Sequence, residues 1–558
     1  LCYKRHLLLT VKIIETQHAR RTICTRTTRA TWRVQQAQRD PFNTRHVLKI
    51  GGFMAVAYHS TRSSDHNVLA KQAILQGIAP DGGLYIQDSI GEKPLDLAKI
   101  CSQGFKATAF DVLSTLLDDY SAEELAHCIE GAYGSQWDTQ AITPVSAIGE
   151  DWLLELFHGP TSAFKDVALQ MLPRLMSVTR EDAGDTGGAS AAGKNIMIVT
   201  ATSGDTGKAA LEGFKDVPGM GITVFYPEGK VSDIQRLQMV TQKGSNVAVC
   251  AVKGNFDDAQ NAAKAIFANK DLAQELAGKG TVLSSANSIN IGRLAPQVTY
   301  YFDAYAQLVA KGAISQGQKV TFCVPTGNFG DVLAGYFAKE MGLPVDRLIV
   351  ASNSNKVLTD FLETGIYDRR RTFEKTISPS MDILVSSNLE RLLYLASGKD
   401  TELVSYLMNQ LVTKGIYTVP AQVMDAIRET FDAGFATDDQ TRETIRSTWE
   451  NCRVLIDPHT AVAKHVLDRV SRQADDVRVC LSTASPYKFS SDVLAALGRS
   501  TAGLDDFACM HTLAEITDTN PPIQLSSLND NVIIHTDVRE KEQLASFVSE
   551  ACGRIFAC

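Results

Sequence analysis

Lys165, in the segment from His158 to Asp166, is the residue whose placement most directly suggests chemistry. An apolar run (152–157) precedes the segment, and a helical apolar pattern (167–172) follows it. The lysine is therefore expected on a strand-to-helix turn, where its side chain would project into a cleft. An amine held in such a cleft loses its proton more readily and can form a Schiff base with an aldehyde cofactor.

Two glycine-rich loops each follow an apolar strand pattern and open a helical one. They are residues 202–208 (Thr-Ser-Gly-Asp-Thr-Gly-Lys) and 325–331 (Pro-Thr-Gly-Asn-Phe-Gly-Asp). The first departs from the nucleotide P-loop pattern, because Thr202 stands where that pattern has glycine and Ala209 follows the lysine. Backbone N–H groups in such loops, together with a helix N-terminus, can bind a phosphate. Each loop taken alone could equally be a tight turn between a strand and a helix.

Two further segments are rich in polar donors. Residues 284–293 combine serines and asparagines with Arg293, a suitable set for a second phosphate, although the pattern also fits a turn that caps a helix. Residues 481–489 place hydroxyls directly after the apolar run 477–480. In an open α/β sheet, ligands bind at this carboxyl end of a strand, and a neutral hydroxyl there could contact a heterocyclic nitrogen.

These loops need a scaffold, and the chain supplies strands that alternate with helices. Beyond residue 150, apolar strand patterns such as 196–200, 221–226, 247–252 and 320–324 are separated by helical patterns, among them 231–243 and 257–275. The alternation predicts an α/β fold with parallel sheets covered by helices on both faces. Residues 54–148 predict a small helical cap, with helices over 69–76, 107–118 and 122–132, and a last helix is predicted over 538–551.

Composition excludes several classes of protein. The 558 residues are 44% hydrophobic and 21% charged with a net charge of −8, which is ordinary for a globular protein and unlike one built to bind nucleic acid or anionic membranes. No apolar run is long enough to span a bilayer. The eleven cysteines form no C-x-x-C pair, and the eleven histidines show no metal-binding spacing. Free thiols and a cytoplasmic location without a metal are therefore expected.

Residues 1–53 differ from the rest of the chain. They carry eleven lysines and arginines against two acidic residues and contain no serine. Organellar transit peptides are basic but usually serine-rich, and a secretory signal would need a clean apolar core. We expect a basic leader without structure that derives from upstream DNA, with Met54 as the natural start.

Several motifs, taken in order along the chain, resemble those of one enzyme family. They are His-Ser-Thr-Arg (59–62), Gly-Ile-Ala-Pro-Asp-Gly-Gly-Leu-Tyr (77–85), His-Gly-Pro-Thr-x-Ala-Phe-Lys-Asp (158–166), Ala-Thr-Ser-Gly-Asp-Thr-Gly (201–207), Ser-Ala-Asn-Ser-Ile-Asn-Ile-x-Arg (285–293), Pro-Thr-Gly-Asn-Phe-Gly (325–330), Ser-Pro-Ser-Met-Asp-Ile (378–383), Ser-Asn-Leu-Glu-Arg (387–391) and Asp-Pro-His-Thr-Ala-Val (457–462). Over about residues 57–500 the chain resembles pyridoxal-phosphate enzymes of the tryptophan-synthase-β superfamily. Within that superfamily it resembles the threonine synthase family of the bacterial and fungal type.

The resemblance implies roles for individual residues. Lys165 would hold pyridoxal 5′-phosphate and act as the catalytic base. The cofactor phosphate would be bound by Gly327, Asn328, Phe329 and Gly330, the pyridine nitrogen by Thr483, and the ring hydroxyl would border on Asp205. The substrate would be bound by Ser203 and Thr206 at its carboxylate and by Asn287, Ser288 and Arg293 at its phosphate.

The resemblance also implies an organisation and a reaction. The fold would be PLP fold type II, an α/β catalytic region of two three-layer subdomains (149–500) after the basic leader (1–53) and the cap (54–148), with a C-terminal segment (501–558). The chain, a monomer or homodimer, would convert O-phospho-L-homoserine and water to L-threonine and phosphate. Two alternatives remain open, a phospho-lyase that releases 2-oxobutyrate from the same substrate and a non-catalytic protein that only binds the cofactor. Two departures from the family pattern, Ser63 after Arg62 and Ser485-Pro486-Tyr487 before Lys488, flank the expected substrate contacts.

Overall fold

The computed structural model describes residues 47–50, 53–186, 194–202, 204–473 and 475–556. These residues all fall within the unit Ala37–Cys558. Most of the expected basic leader, and Ser203 of the expected substrate site, lie outside the described residues. The described end of the expected leader forms a strand, β1 (Val47–Ile50), which pairs antiparallel with β2 (Phe53–Val56) at the start of the cap.

The region expected as a helical cap contains a small sheet as well as the helices. Its elements are β3 (Tyr58–Ser60), β4 (Ser63–Val68), α1 (Ala70–Gln76), β5 (Tyr85–Gln87), α2 (Leu97–Cys101), α3 (Phe105–Leu116) and α4 (Ala122–Ala132). The three predicted helices are present, and α4 begins at Ser121, where the Ser121 hydroxyl and the Glu124 carboxylate form a reciprocal capping box. The antiparallel sheet has the strand order β4-β3-β5.

Strands and helices then alternate through the rest of the chain. Up to residue 284 they are β6 (Val145–Ile148), β7 (Asp151–Glu155), α5 (Lys165–Thr186), β8 (Asn195–Ala201), α6 (Asp205–Phe214), β9 (Met220–Pro227), α7 (Asp233–Val240), β10 (Val247–Val252), α8 (Phe256–Ala268), α9 (Lys270–Gly278) and β11 (Thr281–Ser284). The single helix predicted over 257–275 is wrong. Asn269 ends α8, and its side chain accepts the Leu272 N–H to begin α9, so the segment divides into two helices.

The second half continues the pattern. Its helices and strands are α10 (Ile291–Ala310), β12 (Val320–Pro325), α11 (Gly330–Glu340), β13 (Val345–Ser352), α12 (Val357–Thr364), β14 (Ile366–Asp368), α13 (Leu389–Ala396), α14 (Thr401–Lys414), β15 (Ile416–Thr418), α15 (Ala421–Arg428), β16 (Phe431–Phe435), α16 (Asp438–Cys452), α17 (Pro458–Leu467), β17 (Val477–Ser482), α18 (Ser490–Ala496), α19 (Asp506–Thr517), α20 (Ile523–Ser526), β18 (Asp537–Arg539) and α21 (Leu544–Phe556). Short 3₁₀ helices lie at Pro379–Met381, Pro486–Phe489, Ser527–Asp530 and Lys541–Gln543.

Two large sheets carry the fold. One is a parallel sheet of five strands in the order β11-β8-β9-β10-β18. The other has six strands in the order β16-β13-β12-β17-β7-β6, parallel except for the antiparallel pair β6–β7. Strands β9, β10 and β12 are buried along their whole length, as expected for strands covered by helices on both faces. The predicted fold of two sheets with parallel strands is thereby confirmed.

The end of the chain completes the five-stranded sheet. The helix predicted over 538–551 is wrong at its start, because residues 537–539 form β18, which pairs with the edge strand β10. The ladder continues one residue further, where the Lys253 N–H donates to the Arg539 carbonyl at 3.0 Å. Helix α21 then packs on this sheet, with Phe547 in edge contact with Phe225 at 6.0 Å between ring centroids.

The connectivity brings the polar loops together. Strands β12, β17 and β7 are neighbours in the six-stranded sheet, and the loops at their carboxyl ends carry Gly327, Thr483 and Lys165 in that order. Strands β8 and β11 are neighbours in the five-stranded sheet and precede Asp205 and the segment 284–293. All the predicted polar loops are therefore at carboxyl ends of strands, where α/β sheets bind their ligands.

Candidate active site

Backbone hydrogen bonds hold the turn that carries Lys165 against the end of β17. The Phe164 N–H donates to the Thr483 carbonyl at 2.8 Å, and the Ser485 N–H donates to the Ser162 carbonyl at 3.1 Å. Ser162 has a φ of 58°, a left-handed conformation that turns the chain sharply just before the lysine. Lys165 is then the first residue of α5, so its backbone position is fixed from both sides.

The Lys165 side chain is largely buried, with only 11% of it exposed. Its Nζ donates to Ser380 Oγ at 3.1 Å and lies 3.7 Å from Asp205 Oδ2. Burial, reinforced by the positive charges of Lys488 and Arg293, lowers the pKa of Lys165 to about 8, although Asp205 opposes this change. An amine with this pKa is available in its neutral, nucleophilic form near physiological pH.

Asp205 stands between two lysines. Its Oδ1 atom is 2.8 Å from Nζ of Lys488, whose side chain is fully buried and also donates to the Thr161 carbonyl at 3.0 Å. Gln235 Nε2 donates to the same carboxylate oxygen at 3.1 Å. Burial raises the pKa of Asp205, but the charges of Lys488 and Lys165 outweigh it and hold that pKa well below its usual range. The carboxylate is therefore a permanent anion beside the Lys165 amine.

Two further hydrogen bonds fix Ser380. Its hydroxyl donates to Asp205 Oδ2 at 3.1 Å, and its N–H donates to Nε2 of His459 at 3.1 Å. His459 Nδ1 is 2.6 Å from the Asp457 carboxylate, which also caps α17 by accepting the N–H groups of His459 and Thr460. Because Nε2 accepts a hydrogen bond, the ring proton belongs on Nδ1, facing Asp457. This chain of contacts orients the hydroxyl that meets the Lys165 amine.

The loop from Gly327 to Gly330 fits a phosphate group. Phe329 is the N-cap residue of α11 and has a φ of 62°, so the loop turns its backbone towards the positive end of that helix. A Cβ atom at Gly327 would lie 2.8 Å from the Ser380 carbonyl, and only glycine allows this approach. Asn328 is exposed, while the Phe329 side chain is buried and packs on Phe431. The donors present suit an anion bound without a cationic side chain.

The segment 284–293 fits a second anion and supplies a cation for it. Arg293 is buried, and its Nη1 donates to the Ala286 carbonyl at 2.7 Å, but its Nε has no hydrogen-bond partner. Among the described residues no carboxylate lies within 4.0 Å of this guanidinium. Burial lowers the pKa of Arg293 to about 10, so an anion in this position would restore a stabilising partner. Asn287 is exposed and Ser288 half-buried beside it.

The remaining predicted residues have clear positions. Thr483 is buried at the end of β17, next to the turn of Lys165. Thr206 is half-buried in the first turn of α6, after Asp205. Every predicted residue that the structure describes therefore follows a strand of one of the two large sheets, at or beyond its carboxyl end.

Sequence reasoning missed four residues that surround Asp205 and Lys165, namely Ser380, Lys488, Gln235 and His459. Three of them lie within or beside recognised motifs (378–383, 457–462 and 485–489) but received no role. Residues 165, 380 and 488 are far apart in sequence, and only the packing of the strands brings them together. The sequence held only an indirect signal for these residues. The motifs 378–383 and 457–462 follow no predicted strand, so a loop at the end of a strand does not explain their presence.

Within the described residues there is no group of three or more His, Cys, Asp or Glu side chains that could hold a metal ion. No helix in this part of the chain is long and apolar enough to cross a membrane. The cysteines that can be described, Cys101, Cys128, Cys250, Cys323, Cys452, Cys480, Cys509 and Cys552, are free thiols.

Comparison with protein families gives three matches in chain order. Residues 57–133 match the threonine synthase N terminus, residues 148–483 match the pyridoxal-phosphate dependent enzymes, and residues 460–532 match the C-terminal region of threonine synthase. The second match covers more than half of the chain and confirms the expected cofactor class. The third extends the likeness beyond residue 500, where the resemblance inferred from the motifs ended.

Comparison with individual proteins gives the same result as the family matches. The chain is 38% identical to threonine synthase of Pseudomonas aeruginosa over 449 residues, which covers 80% of this chain and 91% of that protein. It is 39% identical to threonine synthase-like 1 of Macaca fascicularis over 466 residues, 80% of this chain, but it spans only 60% of that protein's length. The crystal structure of PLP-bound threonine synthase from Brucella melitensis superimposes with a TM-score of 0.77 at 35% identity, covering 89% of this chain and 99% of that one. The chain belongs to the threonine synthase family of pyridoxal-phosphate-dependent enzymes.

Proposed function

We propose that this chain converts O-phospho-L-homoserine and water to L-threonine and phosphate, as a carbon–oxygen lyase acting on phosphates. The observation that carries the proposal is the pairing of two unusual groups. An amine with a lowered pKa, Lys165, lies within the electrostatic influence of a buried guanidinium, Arg293, whose Nε has no hydrogen-bond partner among the described residues. A substrate with an amino group at one end and a phosphate at the other matches these two groups.

In this proposal the loop 327–330 holds the cofactor phosphate through its N–H groups, Lys165 holds the aldehyde carbon, and Thr483 meets the pyridine nitrogen. When bound, pyridoxal phosphate supplies an electron sink for negative charge that develops at the substrate Cα. Asp205 borders the ring hydroxyl, and its low pKa keeps it anionic there. The carboxylate of the substrate is bound at the start of α6, by Ser203 and Thr206, where the helix N-terminus favours an anion.

Lys165 would be the general base for the bound substrate. With a pKa of about 8, about a tenth of the amine is neutral at pH 7, compared with well under a thousandth for an ordinary lysine. Ser380 and Asp205 hold this amine at 3.1 and 3.7 Å, which keeps it directed into the pocket. From this position it removes the Cα proton and then transfers protons at Cβ.

Departure of the substrate phosphate is assisted by Arg293 and the donors beside it. A buried guanidinium without a competing carboxylate stabilises negative charge on the leaving oxygen more strongly than a hydrated one. Asn287 and Ser288 add hydrogen-bond donors at the same segment. Water then adds at Cβ, and release of the product leaves phosphate to diffuse away.

Hydration at Cβ requires an ordered site, and the N-terminal region contributes to this order. Ser284 Oγ donates to the Leu75 carbonyl at 3.0 Å, and Asn290 Nδ2 donates to the Ile74 carbonyl at 2.9 Å. The segment that binds the substrate phosphate is therefore tied to the end of α1. We propose that the cap (54–148) keeps the catalytic region (149–500) closed during the reaction, while residues 501–558 complete the five-stranded sheet. We further propose that the enzyme works in the cytoplasm as a monomer or homodimer.

The test is product analysis with O-phospho-L-homoserine, in which phosphate, threonine and 2-oxobutyrate are quantified together. Threonine equal to phosphate supports the proposal, provided that Lys165→Ala abolishes both. Phosphate matched by 2-oxobutyrate would instead identify a phospho-lyase, a reaction compatible with the same groups. A cofactor absorbance band without any phosphate release would identify a protein that only binds the cofactor.

A further inference from the structure

The two loops proposed to bind phosphate share one buried side chain, Asn388, at the N-terminus of α13. Asn388 is fully buried. Its Nδ2 atom donates to the Ser288 carbonyl of the substrate-phosphate segment at 3.1 Å and to the Asn328 carbonyl of the cofactor-phosphate loop at 3.1 Å. An amide nitrogen carries two hydrogens, so these two carbonyls use its full donor capacity.

The rest of Asn388 is equally constrained. Its backbone N–H donates to the Asn328 carbonyl at 3.0 Å, and its Oδ1 accepts from Nη1 of Arg391. Arg391 is itself fully buried and donates to the Ile289 carbonyl at 2.6 Å and to the Tyr85 carbonyl at 3.0 Å. The amide therefore cannot turn away from either loop without leaving a buried polar group unpaired, which is costly.

We infer that Asn388 couples the two phosphate sites, so that an anion in one increases the affinity of the other. The inference rests on the proposed function, because it takes both loops as phosphate sites. When an anion binds to either loop, it favours the backbone conformation in which the N–H groups of that loop converge on the anion. That conformation is the one in which the loop carbonyl meets the amide of Asn388. With the amide held, the second loop has less freedom to lose when its own anion binds.

The coupling has a functional consequence. A cofactor held more tightly when the substrate phosphate is present would be retained during the step in which Lys165 is released from it. Once phosphate has left the substrate segment, the coupling relaxes. Asn388 is thus a positioning residue, since it acts through the backbone carbonyls of the two loops.

The test measures the dissociation constant of pyridoxal phosphate from the holoenzyme by ultrafiltration, with and without saturating propylphosphonate. This probe carries the anionic group of the substrate but no amine, so it cannot displace Lys165. We expect it to lower the dissociation constant of the cofactor about fivefold or more in the wild-type enzyme. Competition for the cofactor loop would raise that constant, so the two effects differ in sign.

The informative variant is Asn388→Asp, which keeps the acceptor for Arg391 and removes the side-chain donor to both carbonyls. The backbone N–H of residue 388 still donates to the Asn328 carbonyl, so the link that is lost is the one between that loop and Ser288. We expect the ratio of the two dissociation constants to fall to about one. The matched control is Ser386→Ala. Ser386 Oγ donates to the Gly327 carbonyl of the cofactor loop at 2.7 Å, and the Ser386 N–H, which the variant keeps, donates to the Tyr367 hydroxyl, so this variant should bind the cofactor more weakly but keep the wild-type ratio.

The outcomes separate the claims. A wild-type ratio of one, with propylphosphonate binding detected by calorimetry, overturns the coupling and leaves the proposed function intact. Failure of propylphosphonate to bind the holoenzyme overturns the substrate-phosphate site and the coupling with it. An unchanged ratio in Asn388→Asp overturns the role of Asn388. If that variant does not fold, Asn388→Ala is measured in its place, and the wild-type ratio remains decisive by itself.

Discussion

Lys165 and Lys488 lie on opposite sides of Asp205, yet their surroundings suit them to different tasks. Lys488 is fully buried, makes a 2.8 Å ion pair and donates to a backbone carbonyl, so its charge is matched and its position is fixed. Lys165 lies 3.7 Å from the same carboxylate, begins a helix whose N-terminal dipole disfavours a cation, and retains some access to the pocket. Both lysine side chains are largely buried, so burial alone does not distinguish them. The difference lies in Asp205, which lies closer to the charge of Lys488 than to that of Lys165.

Lys165→Ala should have the largest effect on activity. Loss of the general base and of the covalent attachment to the cofactor should lower the rate of threonine formation by at least about 10²–10⁴-fold. Steady-state kinetics with cofactor in excess measures this loss. Lys208→Met provides the control, because Lys208 is another buried lysine, paired with Glu212 at 3.1 Å, and has no proposed part in the chemistry. A Lys165→Ala variant that retains most of the activity would transfer the role of base to another residue.

Lys488→Met removes the closer partner of Asp205. Asp205 then keeps only the more distant cation, Lys165 at 3.7 Å, and this loss should lower the free energy of unfolding by up to about 3–5 kcal/mol, measured by denaturant titration. The positive charge of Lys488 also lowers the pKa of Lys165, so its removal should raise that pKa.

The reaction rate of the cofactor-free enzyme with pyridoxal phosphate reports this pKa, because only the neutral amine reacts. In the wild type the rate should rise with pH and reach half its maximum near pH 8. The midpoint should be higher in Lys488→Met and unchanged in Lys208→Met. An unaltered midpoint in Lys488→Met would show that Lys488 does not influence the amine.

Asp205→Asn should move the same midpoint in the opposite direction. The carboxylate raises the pKa of Lys165, so its neutral replacement should lower the pH at which half of the maximal rate is reached. The amide still accepts a hydrogen bond from Lys488, and we expect a loss of stability of about 1.5–3 kcal/mol. Opposite shifts in Asp205→Asn and Lys488→Met would separate electrostatic control from a general disturbance of the pocket.

Ser380→Ala should have the smallest effect. It removes one hydrogen bond to the Lys165 amine and one to the Asp205 carboxylate, while Lys488 and Gln235 still hold that carboxylate. We expect a reduction in kcat of about tenfold with little change in KM, because the base is less well oriented while substrate contacts remain. A change confined to KM would mean that Ser380 contacts the substrate rather than orienting the amine.

The fold and the position of Lys165 could be predicted from the sequence, but the residues that surround Lys165 could not. Alternating apolar patterns predicted the parallel sheets, and three loops at carboxyl ends of strands predicted the location of the site. The split at Asn269 was missed because one capping side chain outweighs a continuous helical pattern. Strand β18 was missed because its three residues are a strand only through pairing with β10.

The partners of Asp205 show the same limit more sharply. Lys488 has no local pattern that distinguishes it from a surface lysine, and Ser380 lies in a 3₁₀ turn between unrelated elements. Their roles arise from distances across the fold, which depend on how β7, β12 and β17 lie side by side. The family motifs identified these segments, and the structure shows the contacts that their side chains make.

Reductive trapping of the cofactor tests the central claim most directly. Borohydride treatment of the holoenzyme fixes the cofactor to the amine that holds it, and peptide mass mapping identifies the modified residue. We predict modification of Lys165 alone, in the peptide containing residues 158–166, and none in the Lys165→Ala enzyme. Modification of Lys488 in the wild-type enzyme would contradict the assignment of the reactive and structural lysines.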